Sequence, residues 1–143
     1  GRGYPRDAAE MKRQIESLST WTGLSVGRVS TLFERYGTRA EAFASFINSG
    51  ADHVLKPLPD YSLREIVFLV VHEKIIHLDD LVLRRSMLAM LGRLTRDILE
   101  ELANVLGDTV GLTAEQRQAQ VMRTLSILAD RHGLVLSETK DQL

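Results

Sequence analysis

The stretch Ser62–His77, SLREIVFLVVHEKIIH, decides the fold, because it can form either a strand or a buried helix. Its middle, Ile66–Val71, is rich in β-branched residues, which is typical of strands. A lone strand is not stable, however, and no other run in the chain offers an alternating or β-rich neighbour. Ser62 and Glu65 also have the spacing of a capping box, which begins helices. We therefore predict a helix over 63–77 that is apolar on nearly every face and packed on all sides.

Helix signals recur along the rest of the chain. Capping-box spacing also joins Asp7 to Glu10, Thr38 to Glu41 and Thr113 to Gln116. Glycines that can end a helix follow amphipathic runs at Gly37, Gly50, Gly107 and Gly133. These signals predict helices at about 7–19, 26–36, 39–49, 63–77, 80–93, 95–106 and 114–132, with the main loop at LKPLPD, residues 55–60. The predicted fold is all-α: a compact bundle of six to seven helices around a buried central helix.

Length and composition bound the function. The 143 residues fit a single domain over 1–143, with frayed ends expected at 1–6 and 137–143. A net charge of -1 indicates neither nucleic acid nor an acidic membrane as the principal partner. The absence of cysteine removes disulfides and thiolate chemistry and favours a cytoplasmic origin. Because the chain begins GRGYPRDAAE, without methionine, we interpret it as part of a longer protein.

The stretch HEKIIHLDD, residues 72–80, is rich in metal-ligating residue types but does not have their spacing. Zinc helices place two histidines four residues apart, whereas His72 and His77 are five apart. This separation turns the two rings about 140° from each other. We predict no metal site, and an inward-facing His72 with a hydrogen-bonded partner rather than a general base. Glu73 is expected to be similarly enclosed.

The next predicted helix, 80–93, places two charged residues within its apolar arc. Asp80 and Arg84 are four apart and project from the side that carries the leucines and methionines. Burying either charge alone is costly, so we predict a desolvated Asp80–Arg84 ion pair at a contact between helices or domains. Arg85 is expected to point toward the polar side.

Two classes of protein are alternatives to a helical part of a longer protein. The stretch LSTWTGLSVGRVSTLFERYG, residues 18–37, has the form of a helix-turn-helix with a glycine in the turn. The second helix would present Arg28 with few other cations, which disfavours DNA binding. A stand-alone protein-interaction or dimerisation module is the other alternative.

Three motifs in order carry a family resemblance: RYGTRA at 35–40, HE at 72–73 and DDLVLRRS at 79–86. Together they resemble the C-terminal helical domain of FAD-dependent glycerol-3-phosphate dehydrogenases of the respiratory type, over roughly residues 8–130. Two positions depart from the family pattern. Val71 stands where the family usually has arginine, and His77 where it usually has a helix-capping threonine.

The resemblance implies that the parent protein is an enzyme that oxidises glycerol 3-phosphate to dihydroxyacetone phosphate with FAD and passes the electrons to quinone. It implies that this chain packs on the parent's N-terminal flavin domain, and that it holds no catalytic residue, binds no FAD and acts on no substrate alone. A homodimer and a peripheral position of the parent at the cytoplasmic face of the membrane stay open. The motif residues expected to serve the fold or the domain contact are Arg35, Tyr36, Gly37, Arg39, His72, Glu73, Asp80, Arg84 and Arg85.

Overall fold

A computed structural model describes residues 7–133 and residue 136. Within them the protein is mostly α-helical with one small two-stranded sheet, which confirms the all-α prediction. The backbone forms two compact units, residues 1–52 and residues 53–143. The predicted frayed ends at 1–6 and 137–143 lie outside the described residues, and the prediction of a single domain stays a prediction.

Unit 1, residues 1–52, consists of three helices that pack against one another. Their bounds are α1 Ala8–Thr22, α2 Val26–Tyr36 and α3 Ala40–Asn48, with a 3-10 turn at Gly37–Arg39 before α3. The predicted cap at Asp7 is confirmed, since its carboxylate accepts from the Glu10 amide at 2.8 Å. The predicted cap at Thr38 is wrong. The 3-10 turn runs directly into α3, so Arg39 stands at the cap position without a side-chain hydrogen bond.

Unit 2, residues 53–143, contains the hairpin and the other helices. Its bounds are β1 Val54–Leu55, β2 Leu58–Ser62, α4 Leu63–His72, α5 Leu78–Val82, a 3-10 segment Arg85–Arg93, α6 Arg96–Val110 and α7 Ala114–His132. The loop predicted at LKPLPD is instead an antiparallel hairpin, with Val54 opposite Ser62 and Leu55 opposite Leu58. Leu55, Leu58 and Tyr61 are buried, so the hairpin side chains that enter the core hold this short pairing in place.

The deciding stretch is helical, as predicted, but shorter and less enclosed. Its cap is confirmed, since the Ser62 hydroxyl accepts from the Glu65 amide at 3.4 Å. The prediction of packing on all sides is wrong, because Val71 is 60% exposed. The helix that packs against three others is α6, which contacts α4, α5 and α7. Gly107, predicted to end this helix, is buried inside it, and Gly111 takes the left-handed conformation at its end.

Helix α4 ends in a left-handed residue that is not glycine. Lys74 has φ 55°, and the Ile75 amide donates to the Val70 carbonyl at 2.9 Å, which is the Schellman arrangement. Ile75, the residue after the left-handed position, is buried, and an apolar residue is usual at that position in this kind of helix end. The helix therefore stops at His72 rather than at His77.

Replacing Lys74 by glycine is expected to raise the free energy of unfolding by about 0.5–1 kcal/mol, because glycine takes positive φ without the steric cost of a Cβ atom. Urea denaturation followed by far-UV circular dichroism measures the change. Lys74→Ala, which also removes the side chain but keeps the Cβ atom, is the control and should not gain stability. An equal gain in both variants would show that the lysine side chain, not the backbone, is unfavourable.

The predicted helix over 80–93 is broken in two. The α5 helix ends at Val82, Arg84 is extended with ψ 147°, and a 3-10 segment follows. A 3-10 helix has three residues per turn, so Met87 and Met90 lie on one side, and both are fully buried. The Tyr61 hydroxyl donates to the Ser86 carbonyl at 2.8 Å and fixes the start of this segment against β2.

Candidate functional site

The first motif, RYGTRA, forms the junction between α2 and α3. Tyr36 ends α2 and stacks on Phe43 of α3, with ring centroids 3.6 Å apart and an angle of 9° between the rings. Gly37 has φ 56° and turns the chain at that point. Arg35 is half-buried and Arg39 exposed, and both take part in interactions within the protein. Tyr36 and Gly37 thus shape the junction, while Arg39 lies at the surface.

The second motif, His72 with Glu73, lies at the surface end of α4. His72 is exposed and stacks on the half-buried Phe68 at a centroid distance of 5.3 Å. The prediction of an inward-facing His72 is therefore wrong. It lies about 120° around the helix from the fully buried Ile66, on the side away from the core. Glu73 is half-buried at the C-cap position, where its amide donates to Leu69.

The third motif, DDLVLRRS, does not form the predicted ion pair. Asp80 is exposed, and in the described part of the chain no hydrogen bond or ion pair joins it to Arg84. The break after Val82 is the physical reason, because the two side chains no longer share one helical face. Arg84 is half-buried, and its buried Nε has no partner among the described residues. Arg85 is exposed, as expected.

Within this motif the buried carboxylate is that of Asp79, the residue before Asp80. Its Oδ1 lies 2.9 Å from the Nε of Arg123 on α7, and the Asp79 side chain is 10% exposed against 51% for Arg123. Sequence reasoning missed this pair because the partners are 44 positions apart and no local spacing connects them. Asp79 also lies in the first turn of α5, where a negative charge is favourable.

A second side chain of α7 completes the joint with α5. The Leu78 amide donates to Gln120 Oε1 at 2.9 Å, while Gln120 Nε2 lies 3.2 Å from His77 Nδ1. Since the amide oxygen faces a donor, the Gln120 nitrogen must donate, and His77 Nδ1 is the acceptor. Gln120 thus caps α5 from a different helix.

Two large apolar side chains at or just after the C-terminal end of α4 are exposed. Val71 and Ile76 are 60% and 61% exposed, and His72 lies between them in sequence. We call these three residues the α4 surface. Scattered apolar residues on a surface need no explanation, but this group includes a motif position. The α4 surface is therefore the candidate contact site of unit 2.

Neither a cluster of metal-ligating side chains nor a membrane-spanning helix is present in residues 7–133 and 136. In that part of the chain, no group of three or more potential ligands is placed to hold a metal ion. Nor does any helix there combine the length and apolar character needed to cross a bilayer.

The nine motif residues divide between the units, with four in unit 1 and five in unit 2.

The motif junction, the capped helices and the small hairpin place this chain in the all-α fold class. A family model described as the C-terminal domain of alpha-glycerophosphate oxidase matches residues 3–117. The chain belongs to this family. Comparisons with curated proteins and with solved structures gave no match.

Proposed function

We propose that this chain is the non-catalytic helical domain of an FAD-dependent enzyme that oxidises sn-glycerol 3-phosphate to dihydroxyacetone phosphate and delivers the electrons to quinone. The family match over residues 3–117 carries the proposal. Flavin domains hold the dinucleotide on a parallel βαβ unit with a glycine-rich turn. The sheet in the described residues is an antiparallel hairpin of two strands, which does not fit that role. In this proposal, another part of the parent protein holds the flavin.

The partner of the domain in this proposal is the flavin domain of the same protein, and the α4 surface is the contact on unit 2. The resemblance described above implies an arginine at position 71, so the valine of this chain makes the α4 surface more apolar than that pattern. Burial of the exposed Val71 and Ile76 side chains at a domain contact would be favourable, because it removes apolar surface from water.

A spectroscopic experiment tests the enzymatic part of the proposal. Glycerol 3-phosphate is added without oxygen to the full-length protein that contains this chain and, in parallel, to the 143-residue chain alone. Bleaching of the flavin absorbance is expected in the full-length protein only. A full-length protein without flavin, or with flavin that the substrate does not reduce, would refute the assigned activity.

Surface variants of the full-length protein test the contact separately. Ile76→Asp places a charge on the α4 surface and is expected to weaken flavin retention and the reduction rate together, because a carboxylate would have to lose its water at the contact. Met122→Asp is the matched control, since Met122 is 55% exposed on α7 and lies outside the family match. If the two variants had the same flavin retention and reduction rate, the contact would not lie at the α4 surface.

The helix-turn-helix hypothesis receives less support. The structure does join α1 to α2 through a three-residue turn, with Gly23 left-handed and Ser25 capping α2. The arginines of α2, Arg28 and Arg35, are each engaged within the protein. DNA binding requires several cations free to contact phosphates. An electrophoretic mobility shift on random duplex at low salt is therefore expected to show no complex.

A further inference from the structure

A small pocket opens in unit 1 beside the side chain of Trp21. Its volume is about 250 Å³, and the described residues that line it are Gln14, Ser17, Leu18, Trp21, Phe33 and Glu41. Leu18 and Phe33 are buried and supply apolar walls, whereas Trp21 is 66% exposed and offers its indole to the opening. The pocket thus combines an apolar interior with an aromatic rim.

The charge of the pocket comes from Glu41, the charged residue among those described lining residues. Glu41 lies in the first turn of α3 and is exposed. In the part of the chain that the structure describes, no hydrogen bond or ion pair occupies its carboxylate. Gln14 and Ser17 add uncharged polar groups. An occupant of matching chemistry carries a positive charge on an apolar stem.

We propose that this pocket receives the side chain of an arginine presented by a partner polypeptide. A planar guanidinium can stack on an indole and also pair with a carboxylate, and Trp21 and Glu41 provide these two groups. The aliphatic stem of arginine suits the walls formed by Leu18 and Phe33. Binding sites for drug-sized ligands occupy about 300–1,000 Å³, so a smaller pocket accommodates a single side chain rather than a cofactor.

The neighbouring surface beside Ser17 and Trp21 does not share this preference. A more open hollow there is lined by Arg13, Glu16, Ser17, Thr20 and Trp21, in which one cation and one anion balance. Selection for positive charge therefore belongs to the side with Glu41. The inference rests on this pocket in unit 1 and is independent of the proposed enzyme and of the α4 surface.

The chain contains a single tryptophan, so its fluorescence reports directly on this pocket. The 143-residue chain is titrated with N-acetylarginine amide and, separately, with N-acetylcitrulline amide, a neutral compound of the same shape. A saturable change is expected with the arginine compound, and about 3- to 30-fold weaker binding with the citrulline compound, from the loss of the cation–π and ion-pair contributions. Equal binding of both compounds, or no saturable change with either, would overturn the proposal.

Glu41→Gln keeps the shape of the pocket and removes its charge. This change is expected to weaken binding of the arginine compound about two- to fivefold and to leave binding of the citrulline compound unchanged. Glu34→Gln, on the exposed side of α2 and away from the pocket, is the control and should bind like the unaltered chain. Circular dichroism melting verifies that both variants fold. If Glu41→Gln binds arginine as well as the control does, Glu41 does not select the ligand and the proposal fails.

Discussion

Replacing Phe43 by alanine is expected to lower the free energy of unfolding of unit 1 by about 3–5 kcal/mol. Phe43 is fully buried, and its ring lies against that of Tyr36 at the junction of α2 and α3. Alanine would leave a cavity in a small core and would remove the stacking partner of a motif residue. Small domains have a total stability of about 5–15 kcal/mol, so a loss of this size brings unit 1 close to unfolding.

The measurement is urea denaturation followed by tryptophan fluorescence, because Trp21 lies in unit 1 and reports on that unit selectively. Phe46→Ala is the matched control, since Phe46 is on the same helix but only half-buried. It is expected to cost clearly less than Phe43→Ala. Comparable losses at the two positions would mean that the Tyr36–Phe43 stack is not the centre of the core of unit 1.

Replacing Arg123 by methionine is expected to destabilise unit 2 by about 1–3 kcal/mol. Methionine keeps the apolar stem but leaves the Asp79 carboxylate without its cation, and only 10% of that side chain is exposed. The range lies below that of a fully buried pair because Arg123 is itself about half exposed, and water screens its charge.

Thermal unfolding followed by circular dichroism provides the measurement, with Arg131→Met as the control. Arg131 is an exposed arginine of the same helix, so its replacement should change stability by less than about 0.5 kcal/mol. A double-mutant cycle with Asp79→Asn then isolates the pair. Strictly additive losses in that cycle would show that Asp79 and Arg123 are not energetically coupled, whatever the distance between them.

The helices were predictable where the signal was local. The caps at Asp7, Ser62 and Thr113 each depend on a side chain and an amide three positions apart, and all three hydrogen bonds form. The lack of a strand partner correctly predicted that Ile66–Val71 is helical rather than a strand. The short β1–β2 hairpin was missed because its two prolines indicated a loop, whereas the burial of Tyr61 that supports it depends on distant residues.

Three of the errors share one physical cause, which is dependence on distant partners. Gly107 had the local appearance of a helix stop, but α6 continues past it to Val110. The glycine instead leaves room for Arg117 of α7, because a Cβ atom at this position would collide with the guanidinium. The acidic pair at 79–80 had no local feature to show which carboxylate is buried, since Arg123 decides it. His72 was misplaced because the sequence did not show which face of α4 the rest of unit 2 covers, and His72 lies about 120° from the fully buried Ile66.

For the candidate site, the sequence identified which residues belong to the family motifs but not what each contacts. Tyr36 was recognised as a motif residue, yet its ring partner Phe43 emerges only when α3 folds back on α2. The exposure of Val71 and Ile76 likewise depends on the place where α4 ends. The order of the motifs can be read from the sequence, whereas the exposure of the α4 surface depends on where the helices end.

The cap that Gln120 provides to α5 has a consequence for the order of folding. A helix of five residues, Leu78–Val82, is too short to persist alone in water. Its first amide is satisfied by a side chain 42 positions later, so closing that long loop must precede its stability. We therefore expect α5 to acquire its native hydrogen bonds only as α7 docks, late in the folding pathway, and to exchange its amide hydrogens together with the α5–α7 contact rather than with α4.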